Sequence, residues 1–135
     1  MLYSIPLLIV VVVLYNVLAF IPSDASTINS VMFTMDLVSG AKWAFSVSDL
    51  IVLLGVLMLC IEIMKSARTS TSSIINHSLS VVLFVVCILE FILVKQAGTS
   101  TFFLITIYTL VDVVAGFTIG LVAARRDISM DRQVF

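Results

Sequence analysis

The stretch WAFSVSDLIVLLGVLMLCIEIMK, residues 43–65, decides the fold. It exceeds the about 20 residues that an α-helix needs to cross the hydrocarbon core of a bilayer, and between its ends it carries only two ionisable side chains, Asp49 and Glu62. Lys42 and Trp43 at one end and Lys65 at the other have the mixed apolar and polar character of headgroup anchors. Three further runs of the same kind, about 2–21, 74–95 and 101–124, flank it. The expected fold is therefore an all-α membrane protein, a single integral domain over 1–135 with four transmembrane helices. Tight polar loops at 66–73 and 96–100 force neighbouring helices to run in opposite directions, which predicts an up-down-up-down antiparallel bundle.

Composition points the same way. The chain has 135 residues, of which 61% are hydrophobic and 11% charged, and its mean hydropathy is +1.27. A soluble domain carries roughly a quarter charged residues. Four crossings leave no room for a soluble catalytic domain. Seven basic residues against eight acidic ones provide no nucleic-acid footprint, so the expected partners are the lipid bilayer and other membrane-protein helices, or a second copy of the chain.

The first run has no basic leader and no Ala-x-Ala site, which predicts that it stays as a helix. Pro22 closes it, and the polar turn of residues 23–27 follows. In 28–39, Ile28, Val31, Met32, Met35 and Val38 recur at helical spacing, which predicts a short interfacial helix ended by Gly40. Arg125-Arg126 is expected to stop the fourth span and open a cytoplasmic tail over 125–135. Lys65, Arg68, Arg125, Arg126 and Arg132 fall on one side, against Lys42 and Lys95 on the other, which predicts a multi-pass protein of the plasma (inner) membrane with both termini cytoplasmic.

Ionisable side chains inside spans cost about 2.5–3.5 kcal/mol each at mid-membrane, so they are the candidates for function. Counting about 1.5 Å per residue from the helix ends places Asp49 and Glu90 at one outer level, Asp112 near the middle, and Glu62 with His77 at an inner level. The first span contributes no acid, only Tyr15 and Asn16. On the second helix Ser48, Gly55 and Glu62 align, while Asp49 lies about 140° away from Glu62. On the third, Asn76, Ser80, Leu83, Cys87, Glu90 and Val94 follow a 4-3 spacing, a partly polar seam with His77 off it. On the fourth, Tyr108, Asp112, Gly116 and Gly120 are four apart, and Gly116 and Gly120 form a small-xxx-small element suited to close helix packing. Asp112 has no basic residue nearby on its own helix, and Tyr108, Thr109 and Asn16 are the expected internal donors.

Catalytic signatures are missing from the sequence. One histidine, no CxxC, no Gly-x-Ser-x-Gly and no phosphate-binding loop predict that the chain is not an enzyme, with no metal and no cofactor expected. Cys60 and Cys87 lie in apolar runs at depths roughly 13 Å apart, whereas a disulfide needs Cα atoms within about 7 Å. Two functions compete: an accessory or assembly subunit that binds partner transmembrane helices, or a small oligomeric proton- or cation-linked transporter or channel that uses the intramembrane carboxylates.

Overall fold

The computed structural model describes residues 5–21, 27–67 and 71–131. Among these residues four α-helices occur: α1 (Leu8–Phe20), α2 (Val47–Ser66), α3 (Thr71–Leu93) and α4 (Ser100–Asp131). Three of them, α2, α3 and α4, are long and apolar enough to cross a membrane. Helix α1 is a shorter apolar helix of 13 residues. Pro22 and residues 23–26 lie outside the described residues, as do residues 68–70 and the last four positions; the expected 66–73 loop is shorter, since Ser66 ends α2 and residues 71–73 open α3.

Helix α4 packs against all three other helices, most extensively against α3 and α2. The 4-3 seam forms the inward face of α3: Asn76, Ser80 and Cys87 are buried, and Leu83, Glu90 and Val94 are partly so. On α4 the buried positions are Phe102, Ile105, Thr106, Thr109 and Asp112, which fall along one face of the helix. Most remaining apolar side chains of the long helices face outward, the arrangement that hydrocarbon rather than water as solvent permits.

Residues 28–39, expected as an interfacial helix, do not form one. Strands β1 (Val31–Asp36) and β2 (Lys42–Ser46) pair antiparallel, with Phe33 opposite Phe45, Met35 opposite Trp43 and Asp36 opposite Lys42. The same residues satisfy two periods. Val31, Met32 and Met35 fit a helix, but Phe33, Met35, Trp43 and Phe45 fit one face of a sheet, and aromatic cross-strand pairs favour the sheet. Gly40 does terminate the segment, but as the φ +82° residue of the hairpin turn rather than a helix C′. That turn is closed by Leu37 N–H to the Ala41 carbonyl and Gly40 N–H to the Leu37 carbonyl, both 2.9 Å.

The hairpin runs directly into α2 and satisfies its free N–H groups. Val47 N–H donates to the Ser30 carbonyl (3.0 Å) and Ser48 N–H to the Ile28 carbonyl (2.9 Å). Ser46 is the N-cap, accepting from Asp49 N–H at 3.3 Å while Asp49 accepts from Ser46 N–H at 2.9 Å, which completes a capping box. Helix α2 thus begins at Val47, and Trp43 is a strand residue rather than the first residue of the span.

The far end of α4 also departs from expectation. The helix continues through Arg125 and Arg126 to Asp131, because charge ends a membrane span without ending a helix, and Ala and Arg are good helix formers. Both cysteines are free, Cys60 exposed and Cys87 buried.

Ser46→Ala removes the acceptor for Asp49 N–H and the hydroxyl that donates to its carboxylate (2.6 Å). It should lower stability by about 1 kcal/mol, measured as a shifted unfolding midpoint in detergent.

Candidate functional site

The polar side chains gather at the C-terminal end of α2. Glu62 is wholly buried and uses both carboxylate oxygens. Its Oε2 accepts from the Leu7 N–H at 2.9 Å, Asn76 Nδ2 donates to Oε1, and Lys65 Nζ lies 3.1 Å from Oε1 and 3.3 Å from Oε2. Lys65 also donates to the Ile5 carbonyl at 2.9 Å. Leu7 immediately precedes α1 and supplies no side-chain cap, so the Glu62 carboxylate provides the negative charge that the positive end of the α1 dipole favours. One carboxylate thereby ties α1, α2 and α3 together.

Asp112 is 3% exposed and lies within electrostatic reach of Glu62, His77 and Lys65. Ser80 is the hydroxyl that faces it, but by strict geometry the Ser80 Oγ has no hydrogen-bond partner and stands near the carboxylate without a well-formed bond. The expected donors are placed elsewhere: Thr109 donates to the Thr106 carbonyl (2.7 Å), and Tyr108 lays its ring over Gly55. The Oδ1 of Asn16 is buried without a partner, on α1. His77 packs its imidazole against Gly116, one turn beyond Asp112, with a buried and unpartnered Nδ1.

The outer carboxylates are not brought together in this way. Asp49 is exposed and committed to the α2 capping box, whereas Glu90 is partly buried on the α3 seam near Tyr15 and Cys87. At that end the interior is held by Tyr15, which is fully buried. Its hydroxyl donates to the Gln96 carbonyl at 3.0 Å and lies 2.6 Å from Thr99 Oγ1. With the single phenolic hydrogen spent on Gln96, the Thr99 hydroxyl is the donor of the second bond, and its oxygen accepts from Phe102 N–H (3.2 Å) at the start of α4.

The glycines differ in role. A Cβ on Gly55 would meet the Tyr108 ring at 2.8 Å, while one on Gly120 would meet nothing within 4 Å. Gly55 is a helix-packing position between α2 and α4, Gly116 receives His77, and Gly120 faces open space.

Sequence reasoning assigned Asn76 and Ser80 to a packing seam and missed them as site residues. The available signal was that an amide and a hydroxyl, one turn apart, occupy the most inward line of α3. Among the described residues no group of three or more His, Cys, Asp and Glu side chains could hold a metal ion. No family model, curated protein or solved structure matches the chain.

Glu62→Ala should cost about 3 kcal/mol or more, because it leaves the Leu7 N–H and the Asn76 amide without their acceptor and Lys65 without its counter-charge. Thermal unfolding in detergent reads the loss. In the same assay Gly55→Ala should destabilise by about 1–3 kcal/mol and Gly120→Ala by none, since only the first forces a packed ring to move.

Proposed function

We propose that this chain is a small polytopic accessory or assembly subunit, embedded in the plasma membrane, that binds partner membrane proteins and is not an enzyme. The observation that carries this reading is an apolar plug: Val11, Val12, Tyr15, Ile51, Cys87, Phe102 and Ile105 form one buried cluster in the half of the bundle away from Glu62 and Asp112. A transport path needs polar groups at successive depths. Here the fully buried carboxylates, Glu62 and Asp112, lie on one side of the plug; on the other, Asp49 is spent on a helix cap and Glu90 is only partly buried.

Four crossings in up-down-up-down order fit the pairs in contact. Along α1 and α2, Leu7 meets Glu62 and Val11 lies by Gly55; along α3 and α4, His77 meets Gly116 and Phe91 meets Phe103. In both pairs one number rises as the other falls, as antiparallel neighbours require. Helix α1, though short, reaches from the Glu62 level to the start of α4, where Tyr15 packs on Phe102 with ring centroids 4.9 Å apart. The excess of Lys and Arg at the α2 C-terminal end supports cytoplasmic termini, with the hairpin on the opposite face.

The hairpin is the surface we assign to the partner. Phe33, Trp43 and Phe45 form an aromatic cluster with centroids 5.1–6.0 Å apart, flanked by exposed Met32 and Met35. Aromatic and Met side chains are enriched in protein interfaces. Lys42, the strands' basic residue, stands opposite Asp36, so the hairpin presents no net positive charge to anionic headgroups, and a protein surface suits it better than lipid alone.

A second reading, a small oligomeric proton- or cation-linked transporter or channel, draws on the buried Asp112. Flux in liposomes tests it: a parent protein that carries protons or cations, and an Asp112→Asn variant that does not, would replace the accessory reading.

The accessory reading predicts that a photoreactive residue at Trp43 joins the chain to one discrete membrane protein in cells. Phe33→Ala with Phe45→Ala should abolish co-purification of that same protein while leaving the melting temperature within a few degrees of the parent. Adducts only to lipid, or only to a second copy of the chain, would overturn it.

A further inference from the structure

The hairpin is a sheet of two strands, so each strand has an edge with no neighbour. The turn fixes which backbone groups lie there. Leu37 N–H donates to the Ala41 carbonyl, which makes Leu37 and Ala41 a hydrogen-bonded pair. Bonded and non-bonded pairs alternate along an antiparallel ladder. Met35 with Trp43 and Phe33 with Phe45 are therefore bonded, and Thr34 and Asp36 turn their N–H and C=O groups away from β2. Among the described residues none of these outward groups has a partner.

The two edges are protected differently. On β2, Lys42 guards the edge, and Phe45 and Ser46 are half-buried where the strand runs into α2. On β1 every residue is exposed and none is Lys or Pro. Met32 is the extra residue of a β-bulge between Val31 and Phe33, which bends the strand at that end and leaves residues 33–36 as the regular, open edge. A hairpin of two strands alone is marginally stable in water. A third strand would bond the free backbone groups and flank Phe33 and Met35 in one step.

Charge selects the occupant. Asp36 is the only charged side chain of β1, with Lys42 across the ladder on one flank and an open position on the other. Two-fold antiparallel pairing with β1 of a second copy would set Asp36 opposite Asp36 or diagonal to it, or carry the pairing across the bulge at Met32. Like charges that face each other destabilise a sheet. An extended segment of a different protein escapes this repulsion when it carries a basic residue beside Asp36.

We propose that the partner assigned to the hairpin contributes an extended segment that adds as a third strand along residues 33–36. It bonds to the backbone of Thr34 and Asp36, sets apolar side chains on the face of Phe33 and Met35, and places a lysine or arginine beside Asp36. This inference rests on the hairpin being the partner surface and specifies how the partner is held: backbone bonds supply affinity, and alternate side chains supply selectivity.

The test uses the full-length chain with the photoreactive residue at Trp43. Thr34→Pro deletes one outward N–H and none that bonds β2, a change that edge strands accept, so the melting temperature in detergent should stay within a few degrees of the parent. The yield of the protein adduct should fall by about tenfold or more, because the interface loses a hydrogen bond and leaves its acceptor unpaired. Thr34→Val keeps the N–H and should retain the adduct. In the adduct itself, the N–H groups of Thr34 and Asp36 should exchange with deuterium about tenfold more slowly than in the free chain, with smaller changes at Phe33 and Met35. This second measurement decides the outcome if Thr34→Pro does not fold. A full adduct yield in folded Thr34→Pro, or unchanged exchange at Thr34 and Asp36, overturns the third strand while the partner's contact with the aromatic face stands. An adduct to a second copy of the chain that disappears in Thr34→Pro identifies a different occupant and also overturns it. A parent that gives no protein adduct removes the hairpin reading itself, and the third strand with it.

Discussion

A single buried carboxylate determines how the α2 C-terminal end of this molecule is assembled. Glu62 makes no exposed contact, yet it receives the Leu7 N–H, the Asn76 amide and the Lys65 ammonium. Each of these comes with a different piece of chain: the entry to α1, the inward line of α3, and the last turn of α2 itself. Burying a carboxylate is expensive unless it is paired and hydrogen-bonded, and the cost is offset here only when all three partners are in place. The requirement sets where α1 begins and how α3 is rotated. Once Asn76 faces Glu62, Ser80, Leu83 and Cys87 face inward too, and α4 has a seam to pack on.

The bundle is consequently divided along its length. Toward Glu62 and Asp112 the interior is largely polar; toward Tyr15 and Phe102 it is mostly apolar, with the Tyr15 and Thr99 hydroxyls bonded to each other and to backbone and the Asn16 Oδ1 buried without a partner. Tyr15, Thr99 and Gln96 illustrate the second regime, with each hydrogen assigned to an acceptor and the α4 N-terminus capped in the process. The two halves place different demands on function. Transport across the whole bundle would require both to be polar.

The hairpin shows how a local pattern can be misread. Residues 31–46 are rich in aromatic and β-branched side chains, and the helical spacing of Val31, Met32 and Met35 is coincident with a two-residue period shared with Trp43 and Phe45. Pairing of β1 with β2 decides between them, because a strand is stabilised by a neighbour that the segment alone does not reveal. Asp49 was misjudged for a related reason. Its depth along the chain is that of a membrane carboxylate, but Ser46 three residues earlier makes it the N3 partner of a capping box, which takes it out of the interior.

The sequence by itself determined that the chain is dominated by long apolar helices, although only three of the four expected spans are long enough to cross a membrane, and it determined the inward seam of α3, because hydrophobic length and helical period are properties of a segment. Only the tertiary structure decided that Glu62 caps α1, that the hairpin replaces a helix, that Gly55 receives Tyr108 while Gly120 receives nothing, and that Asn76 binds Glu62 while Ser80 faces Asp112. Each of these depends on which face of one element meets which face of another. Helix rotation and strand pairing are fixed by contacts distant in sequence, and no single segment encodes them.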